Sequence, residues 1–117
     1  MAFRSNGRRA LAKSLCFGAY EAGAQVGLAR VVTDRATFAW LADVFVLEAQ
    51  RGRGIGAQLM EAVGAHTDLQ GLRRHALVTS TAPALYARDG FTPVRKAEIW
   101  MERLDPDAYA KVQAPPA

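Results

Sequence analysis

Three glycines, each separated from the next by one residue, form the chemically most specific segment of this chain. The segment reads Arg51-Gly52-Arg53-Gly54-Ile55-Gly56 and is called the glycine loop below. An apolar run precedes it and apolar residues at helical spacing follow it, so the glycines lie at a strand-to-helix junction. Free backbone N–H groups, a helix dipole and the lack of side chains allow such a junction to hold a phosphate. The loop therefore predicts an anion site.

Two common nucleotide motifs do not fit the glycine loop. A Walker loop requires Lys and then Ser or Thr after its last glycine, but Gly56 is followed by Ala57 and Gln58. The dinucleotide fingerprint requires G-x-G-x-x-G, whereas the spacing here is G-x-G-x-G. Both nucleotide classes are disfavoured. On the loop alone, a glycine- and arginine-rich turn without function stays an alternative.

The elements that must position the loop follow from the apolar pattern and the turn residues. Strands are predicted over residues 15–20, 26–33, 37–47, 75–79, 91–94 and 97–104. Helices are predicted to end near residue 14, to run over 57–66 from inside the glycine loop, and to run over 83–89 with Gly90 as C-terminal cap. The third strand is almost continuously apolar, which predicts a central position with both faces buried. Antiparallel strands followed by a helical crossover predict a mixed α/β (α+β) fold.

Length and charge limit the remaining possibilities. The 117 residues predict a single domain, 1–117, with a basic helical segment at 1–14 and a flexible proline-containing tail at 105–117. The net charge of +4 lies entirely in Arg4, Arg8, Arg9 and Lys13, because residues 14–117 carry equal numbers of basic and acidic side chains. A nucleic-acid partner is therefore the least favoured class.

Compartment and metal content follow from what the sequence contains. No apolar run approaches the roughly 18 residues that cross a bilayer, and the first nine residues lack the apolar core of a secretory signal. Cys16 is the only cysteine, which excludes an internal disulfide framework and a multi-cysteine zinc site. His66 and His75 have no partner at ligand spacing and are expected to be surface or satisfied histidines. We expect a cytoplasmic protein without membrane association or metal.

Two further segments, read with the glycine loop, resemble the GNAT superfamily of N-acetyltransferases. The loop is similar to the family's [Gln/Arg]-x-x-Gly-x-[Gly/Ala] pattern, and residues 84–91 (ALYARDGF) resemble its second signature, a Leu-Tyr pair on a helix followed by Gly-Phe. Residues 29–46 are similar to a common group of small bacterial members of unassigned substrate. The resemblance implies a mixed sheet flanked by helices, with acetyl-CoA in an opening between the family's fourth and fifth strands.

The resemblance also implies which residues bind the cosubstrate. The pyrophosphate would lie on the N–H groups of residues 52–57, with Arg51 and Arg53 adding charge; Arg53 as a solvated loop residue is equally open. Pantetheine would run along Val44 to Val46, and a backbone N–H near Phe45 or Val46 would polarise the thioester carbonyl. Thr79 occupies the position of a family asparagine that contacts the cofactor or backbone. The implied cofactor-binding residues are Val44, Phe45, Val46, Arg51, Gly52, Arg53, Gly54, Ile55, Gly56, Ala57 and Thr79.

Two residues are candidates for proton transfer. By the family motif, Tyr86 is the general acid that protonates the departing thiolate; the alternative is a core tyrosine packed beside Leu85. Asp43 lies within an apolar strand, where a buried carboxylate requires partners, and is the candidate general base. The alternative for Asp43 is a hydrogen bond to a neighbouring loop.

The implied activity is acetyl-CoA-dependent transfer to a primary amine of a small molecule or peptide, by direct attack in a ternary complex. The alternative is a non-catalytic module of the same fold that binds CoA or acetyl-CoA. Relatives carry a further strand and helix ahead of the segment at Arg8, and these form the acceptor side. Small members of the family often pair, so a homodimer is expected.

Overall fold

The computed structural model describes residues 5–108. Its helices are α1 (Ser5–Ala12), α2 (Ile55–Ala65) and α3 (Pro83–Ala87). Its strands are β1 (Leu15–Glu21), β2 (Ala24–Thr33), β3 (Phe38–Val46) and β4 (Arg74–Leu77). Short 3₁₀ turns occupy Glu48–Gln50, Thr67–Leu69 and Ala97–Ile99. Residues 14–92 form one compact unit that contains the sheet, α2 and α3; residues 5–13 and 93–108 belong to a second unit, which contains α1. The prediction of one domain stays a prediction.

The four strands form one mixed sheet in the order β1-β2-β3-β4. β1 and β3 both pair antiparallel with β2, and β4 pairs parallel with β3. The crossover from β3 to β4 contains the glycine loop and α2. The mixed α/β fold and the central position of the third strand are thereby confirmed.

Two tight turns connect the antiparallel strands. Ala22 and Gly23 both have positive φ, 52° and 82°, the combination of the type I′ turn in two-residue hairpins. In the β2–β3 turn, the Asp34 carboxyl accepts N–H groups of Ala36, Thr37 and Phe38 at 2.8–3.2 Å. A hydrogen bond from the Thr37 hydroxyl, together with these backbone bonds, holds the pKa of Asp34 well below its usual range.

The core lies between α2 and one face of the sheet. Alternate residues of β2 and β3 point to this face and meet the apolar side of the helix. The buried cluster consists of Ala29, Val31, Ala39, Leu41, Leu59, Met60, Val63 and Leu69. Gly27 allows the close approach, because a Cβ atom there would lie 3.1 Å from the Phe45 carbonyl oxygen and 3.2 Å from Leu59 Cδ1. Burial of this face is what fixes α2, and with it the glycine loop, against the sheet.

β3 is paired differently along its two sides. It pairs with β2 from Ala39 to Val46, but with β4 only from Phe38 to Leu41. The β2–β3 register shifts by one residue at Ala42, because Arg30 is opposite Asp43 while Val31 is opposite Leu41. β4 therefore leaves β3 where the extra residue is inserted. This separation is the splayed opening that the sequence resemblance implied.

Burial on both faces of β3 was predicted and is wrong for most of the strand. Ala39 and Leu41 are buried, but the other residues are half-buried and Asp43 is exposed. The long apolar run reflects instead a strand whose second half borders an open cleft.

The last two predicted strands are also absent, since no strand follows Leu77 within residues 5–108. Phe91 completes the cap of α3, and residues 97–104 form a 3₁₀ turn and irregular chain in which Ile99 and Met101 are 68% and 95% exposed. Apolar–polar alternation alone was the signal for these strands, and it produces a strand only where a neighbour supplies pairing.

Near the chain ends, the predicted basic helix is observed as α1 and begins at Ser5. The predicted flexible tail lies for the most part outside the described residues. Among residues 5–108, no helix is long and apolar enough to cross a membrane.

Candidate active site

The opening between β3 and β4 contains a cavity of about 600 Å³. Its walls are formed by the second half of β3, the glycine loop, the chain that follows β4, and α3. The lining residues are 41–46, 50–52, 54–56, 77–82 and 85–86. Both candidate catalytic residues line it, as do all the implied cofactor-binding residues except Arg53 and Ala57. Four parts of the fold thus converge on one site.

The cavity wall formed by β3 presents backbone groups. The Leu47 N–H donates to the Val26 carbonyl of β2 at 2.9 Å. Because main-chain groups alternate in direction along a strand, the N–H groups of Val44 and Val46 point away from β2, into the cleft that β4 has left. The Val46 carbonyl points the same way, and it accepts a hydrogen bond from Arg51 Nε at 3.2 Å. The N–H group of Phe45 points to β2.

The glycine loop has the geometry of an anion site. Gly52 and Gly54 have φ of 81° and 78°, in the left-handed region that disfavours other residues. Gly54 is the N-cap of α2 and provides no side chain for capping, and the first intrahelical bond is donated by the Gln58 N–H. The N–H groups of Ile55, Gly56 and Ala57 therefore begin the helix without intrahelical acceptors. Together with the helix dipole they can hold a phosphate.

The two arginines of the loop have different surroundings. Arg51 lines the cavity and is exposed. Arg53 lies outside the lining and pairs with Glu21 at the end of β1: Nη1 to Oε2 is 2.7 Å and Nη2 to Oε1 is 3.0 Å. Its Nη1 also donates to the Gln50 side chain. The hydrogen bond from Arg53 lowers the pKa of the Glu21 carboxyl. Of the two interpretations of Arg53, this geometry fits a solvated residue, 52% exposed and paired with Glu21, better than a phosphate contact.

Tyr86 is positioned by the C-terminal cap of α3. The Gly90 N–H donates to the Ala87 carbonyl at 3.1 Å, and the Phe91 N–H donates to the Tyr86 carbonyl at 3.2 Å. With Gly90 at φ 90°, these are the two bonds of a Schellman motif. The rings of Phe91 and Tyr86 meet edge to face, with centroids 6.1 Å apart. The cap thus explains why Leu-Tyr and Gly-Phe occur at this spacing.

The Tyr86 side chain combines the two roles considered for it. It packs against the hydrophobic core and also lines the cavity. Burial raises the pKa of its hydroxyl, so the group stays protonated across the neutral range. A protonated hydroxyl at the cavity wall can donate a proton.

Asp43 was chosen as candidate base because a buried carboxylate was expected, but its side chain is not buried. Its side chain is 54% exposed and forms an ion pair with Arg30, directly opposite on β2, with Nε to Oδ2 at 2.7 Å. Arg30, which is 17% exposed, also donates to the Ser14 hydroxyl at 3.0 Å. The argument from a buried carboxylate was wrong, because the inserted Ala42 turns Asp43 towards an open cleft. The alternative of a loop partner was wrong as well, since the partner is a strand residue.

Thr79 contributes to the wall through the loop before α3. Its hydroxyl oxygen accepts the N–H of Ala82, the N-cap residue of α3, at 3.0 Å. The hydroxyl thus orders the approach to the helix that carries Tyr86 while lining the cavity.

Sequence reasoning missed several residues of this region. Gln50 and Val78 line the cavity, and Arg30 and Glu21 hold residues of the site through ion pairs. The ion pairs depend on strand register and hairpin geometry, for which the sequence has no local signal. Position alone could have identified Gln50, which directly precedes the glycine loop. His66 is a satisfied histidine as predicted: its Nδ1 accepts the Asp68 N–H at 3.0 Å.

Comparisons with known proteins agree with this architecture. A family model for the GNAT acetyltransferase domain matches residues 12–93. A candidate acetyltransferase from Gibberella zeae is 33% identical over an alignment of 101 residues, and the match covers 68% of this chain and 56% of that protein. The crystal structure of a candidate GNAT-family acetyltransferase from Xanthomonas campestris pv. campestris is 55% identical with a TM-score of 0.87, and the match covers 91% of this chain and 75% of that one.

A more distant match shows the fold alone. An aminoglycoside N-acetyltransferase solved in complex with CoA is 24% identical with a TM-score of 0.58, and the match covers 86% of this chain and 85% of that one.

The sheet opens beside its third strand, and a glycine loop lies at the start of the helix that follows. These two features are those of an acetyltransferase fold. The chain belongs to the GNAT acetyltransferase family. It spans 56% of the length of the curated relative that it matches.

The glycine loop can be tested through Gly54. Gly54→Ala places a Cβ at φ 78° and should destabilise the protein by about 1–2 kcal/mol, although the space around it is open. The matched control is Gly64→Ala in α2, which also has open space but helical φ, and which should stabilise by about 0.5 kcal/mol. Urea denaturation of both variants measures the difference. Equal effects of the two substitutions would contradict the left-handed geometry at Gly54.

Proposed function

We propose that this protein is an acetyl-CoA-dependent N-acetyltransferase that moves an acetyl group to a primary amine of a small molecule or peptide. The observation that carries the proposal is the convergence on one cavity of the anion loop, the free edge of β3 and the Tyr86 hydroxyl. Each of these supplies one requirement of acyl transfer: donor binding, polarisation of the carbonyl, and a proton for the leaving group.

The residues of the cavity fit CoA as the donor's carrier. The N–H groups of Ile55, Gly56 and Ala57 would hold the pyrophosphate, and Arg51 would add charge from the cavity wall. A volume of about 600 Å³ lies in the usual range for a small-molecule site, roughly 300–1,000 Å³. The complex of the aminoglycoside N-acetyltransferase with CoA supports a CoA site in this fold. Bound acetyl-CoA would supply the activated acetyl thioester.

The backbone of β3 would orient and polarise the thioester. Its N–H groups at Val44 and Val46 point into the cleft, where no neighbouring strand competes for them. The Val46 N–H is the better donor to the thioester carbonyl, since the Phe45 N–H points to β2. Strand pairing therefore favours Val46 over Phe45 as the proposed donor.

The acceptor amine must be deprotonated to attack. A lysine-like amine with a pKa near 10.4 is neutral at roughly one part in a few thousand at pH 7, which costs about 4–5 kcal/mol. Asp43 is the carboxylate of the cavity wall and is proposed as the proton acceptor. The ion pair with Arg30 fixes its orientation and occupies its Oδ2 oxygen.

That ion pair is the observation that favours a second candidate function. If Arg30 holds the Asp43 carboxylate away from the acceptor amine, the same cavity would bind CoA or acetyl-CoA without turnover. The two candidates share the cofactor site and differ only in turnover. An amine acceptor, a cytoplasmic location and a homodimer stay predictions from the sequence.

Binding of the cosubstrate is the first test. Acetyl-CoA at 100 times its dissociation constant should stabilise the protein by about 2.7 kcal/mol, a rise in melting temperature of roughly 10 °C. Thermal unfolding with a ligand titration measures this rise, with ATP as a control that carries phosphates and adenine but no pantetheine. No rise at millimolar acetyl-CoA would count against both candidate functions.

Tyr86→Phe tests the general acid. It should lower kcat by about 10²-fold or more on amines that the wild type acetylates, with the affinity for acetyl-CoA retained, because only the proton donor is lost. Tyr20→Phe is the matched control, since Tyr20 is 67% exposed and lies outside the cavity lining. Steady-state kinetics over an amine panel provide the measurement. Equal kcat values in the two variants would exclude the acid role.

Asp43→Asn tests the base. The variant should lower kcat/KM by about 10²-fold or more, because the amide cannot accept the proton. Asp68→Asn is the control, since Asp68 is also paired with an arginine, Arg35, but lies outside the cavity lining. CoA binding in Asp43→Asn with wild-type turnover would mean that Asp43 is not the base. Binding by the wild type without turnover on any amine would select the non-catalytic candidate.

A further inference from the structure

We propose that the Glu21–Arg53 ion pair fastens the glycine loop to the β1–β2 hairpin, so that Arg53 is a positioning residue of the loop and not a ligand of the phosphate. The part that concerns phosphate rests on the proposed CoA site. The part that concerns loop order stands on the contacts of the protein alone.

The guanidinium of Arg53 already uses its N–H donors within the protein. Its outer edge makes two parallel hydrogen bonds to the carboxylate of Glu21, at 2.7 and 3.0 Å, and Nη1 donates to Gln50 as well. A guanidinium binds phosphate best through this same forked edge. Arg53 would have to give up Glu21 to bind a phosphate in that way. Arg51 has no such partner: within residues 5–108 its guanidinium makes a single hydrogen bond, from Nε to the Val46 carbonyl.

Glu21 is held in place by the β1–β2 hairpin. Glu21 is the last residue of β1 and pairs with Ala24 across a two-residue turn. A turn of this type leaves the chain little freedom, and the register of the hairpin fixes where the Glu21 side chain starts. The carboxylate is therefore presented at a defined place by the edge of the sheet, 32 residues away in sequence from its partner.

The glycine loop has few contacts of its own that would hold it in one conformation. Arg53 lies between two glycines of positive φ, Gly52 and Gly54, neither of which has a heavy atom within 4 Å of the Cβ position. Glycines lose more conformational freedom on ordering than other residues do. The side chain of Arg53 is thus the group through which the middle of the loop is joined to the sheet, while Gly54 continues into α2. A loop that is ordered before binding loses less conformational entropy when its N–H groups bind an anion.

The test uses Glu21→Gln, Arg53→Gln and the double variant of the full chain. Glu48→Gln is the matched control, because Glu48 is an exposed carboxylate in the turn just before the loop and forms no ion pair within residues 5–108. The first readout is amide hydrogen exchange of Arg51 and Gln58 without any ligand, because their N–H groups bond to the Glu48 and Gly54 carbonyls at the two ends of the loop and exchange when the loop opens. The second is the dissociation constant of CoA by calorimetry.

Each single variant should speed exchange in the loop by about 1.5- to 5-fold, the range that corresponds to an exposed ion pair. The double variant should exchange no faster than Arg53→Gln, because Arg53→Gln already removes the bonds to Glu21. Glu48→Gln should exchange as the wild type does. Wild-type exchange in Glu21→Gln, or additive acceleration in the double variant, would overturn the proposal.

The CoA measurement separates fastening from phosphate binding. If Arg53 fastens the loop, Glu21→Gln binds CoA more weakly than Glu48→Gln, although both lose one negative charge near the site. If Arg53 is a phosphate ligand, Glu21→Gln frees it and binds CoA as tightly as Glu48→Gln or more tightly, and the proposal is wrong. A wild type that binds no CoA would refute the proposed function, and the exchange data would still decide whether the ion pair orders the loop.

Discussion

The site depends on the unequal pairing of β3. Its bonds to β2 run the length of the strand, but its bonds to β4 stop at Leu41, where Ala42 is inserted. The N–H and C=O groups of β3 that would otherwise hydrogen-bond to a neighbouring strand therefore point into a cleft. A sheet loses hydrogen bonds by opening in this way, and the cost is offset where burial against α2 holds the two strands in place.

Helix α2 connects this opening to the anion loop. Its apolar side packs on the face of the sheet that carries Ala29 and Val31, and Gly27 lets it come close. The start of the helix is thereby held at the end of the cleft, with the glycine loop between. Packing of α2 on the sheet therefore holds the glycine loop next to the cleft beside β3. The same packing places the anion site at the end of that cleft.

Local signals in the sequence were sufficient for much of this structure. Gly52 and Gly54 need left-handed backbone and precede apolar residues at helical spacing, and Gly90 ends α3, so both junctions could be predicted. The ion pairs of Asp43 and Arg53 could not, because they depend on an inserted residue and on a hairpin that lies far away in sequence. The predicted strands after Phe91 failed for a related reason: alternation describes one chain, whereas a strand requires a second one.

The cap of α3 has a consequence for how this protein can vary. The bonds from Gly90 to Ala87 and from Phe91 to Tyr86 close only when three residues separate Tyr86 from Gly90. Arg88 and Asp89 are exposed, so their identity is open to change. Their number is not. One residue more or fewer would separate the Phe91 ring from the Tyr86 ring, so this stretch tolerates substitution and forbids insertion or deletion.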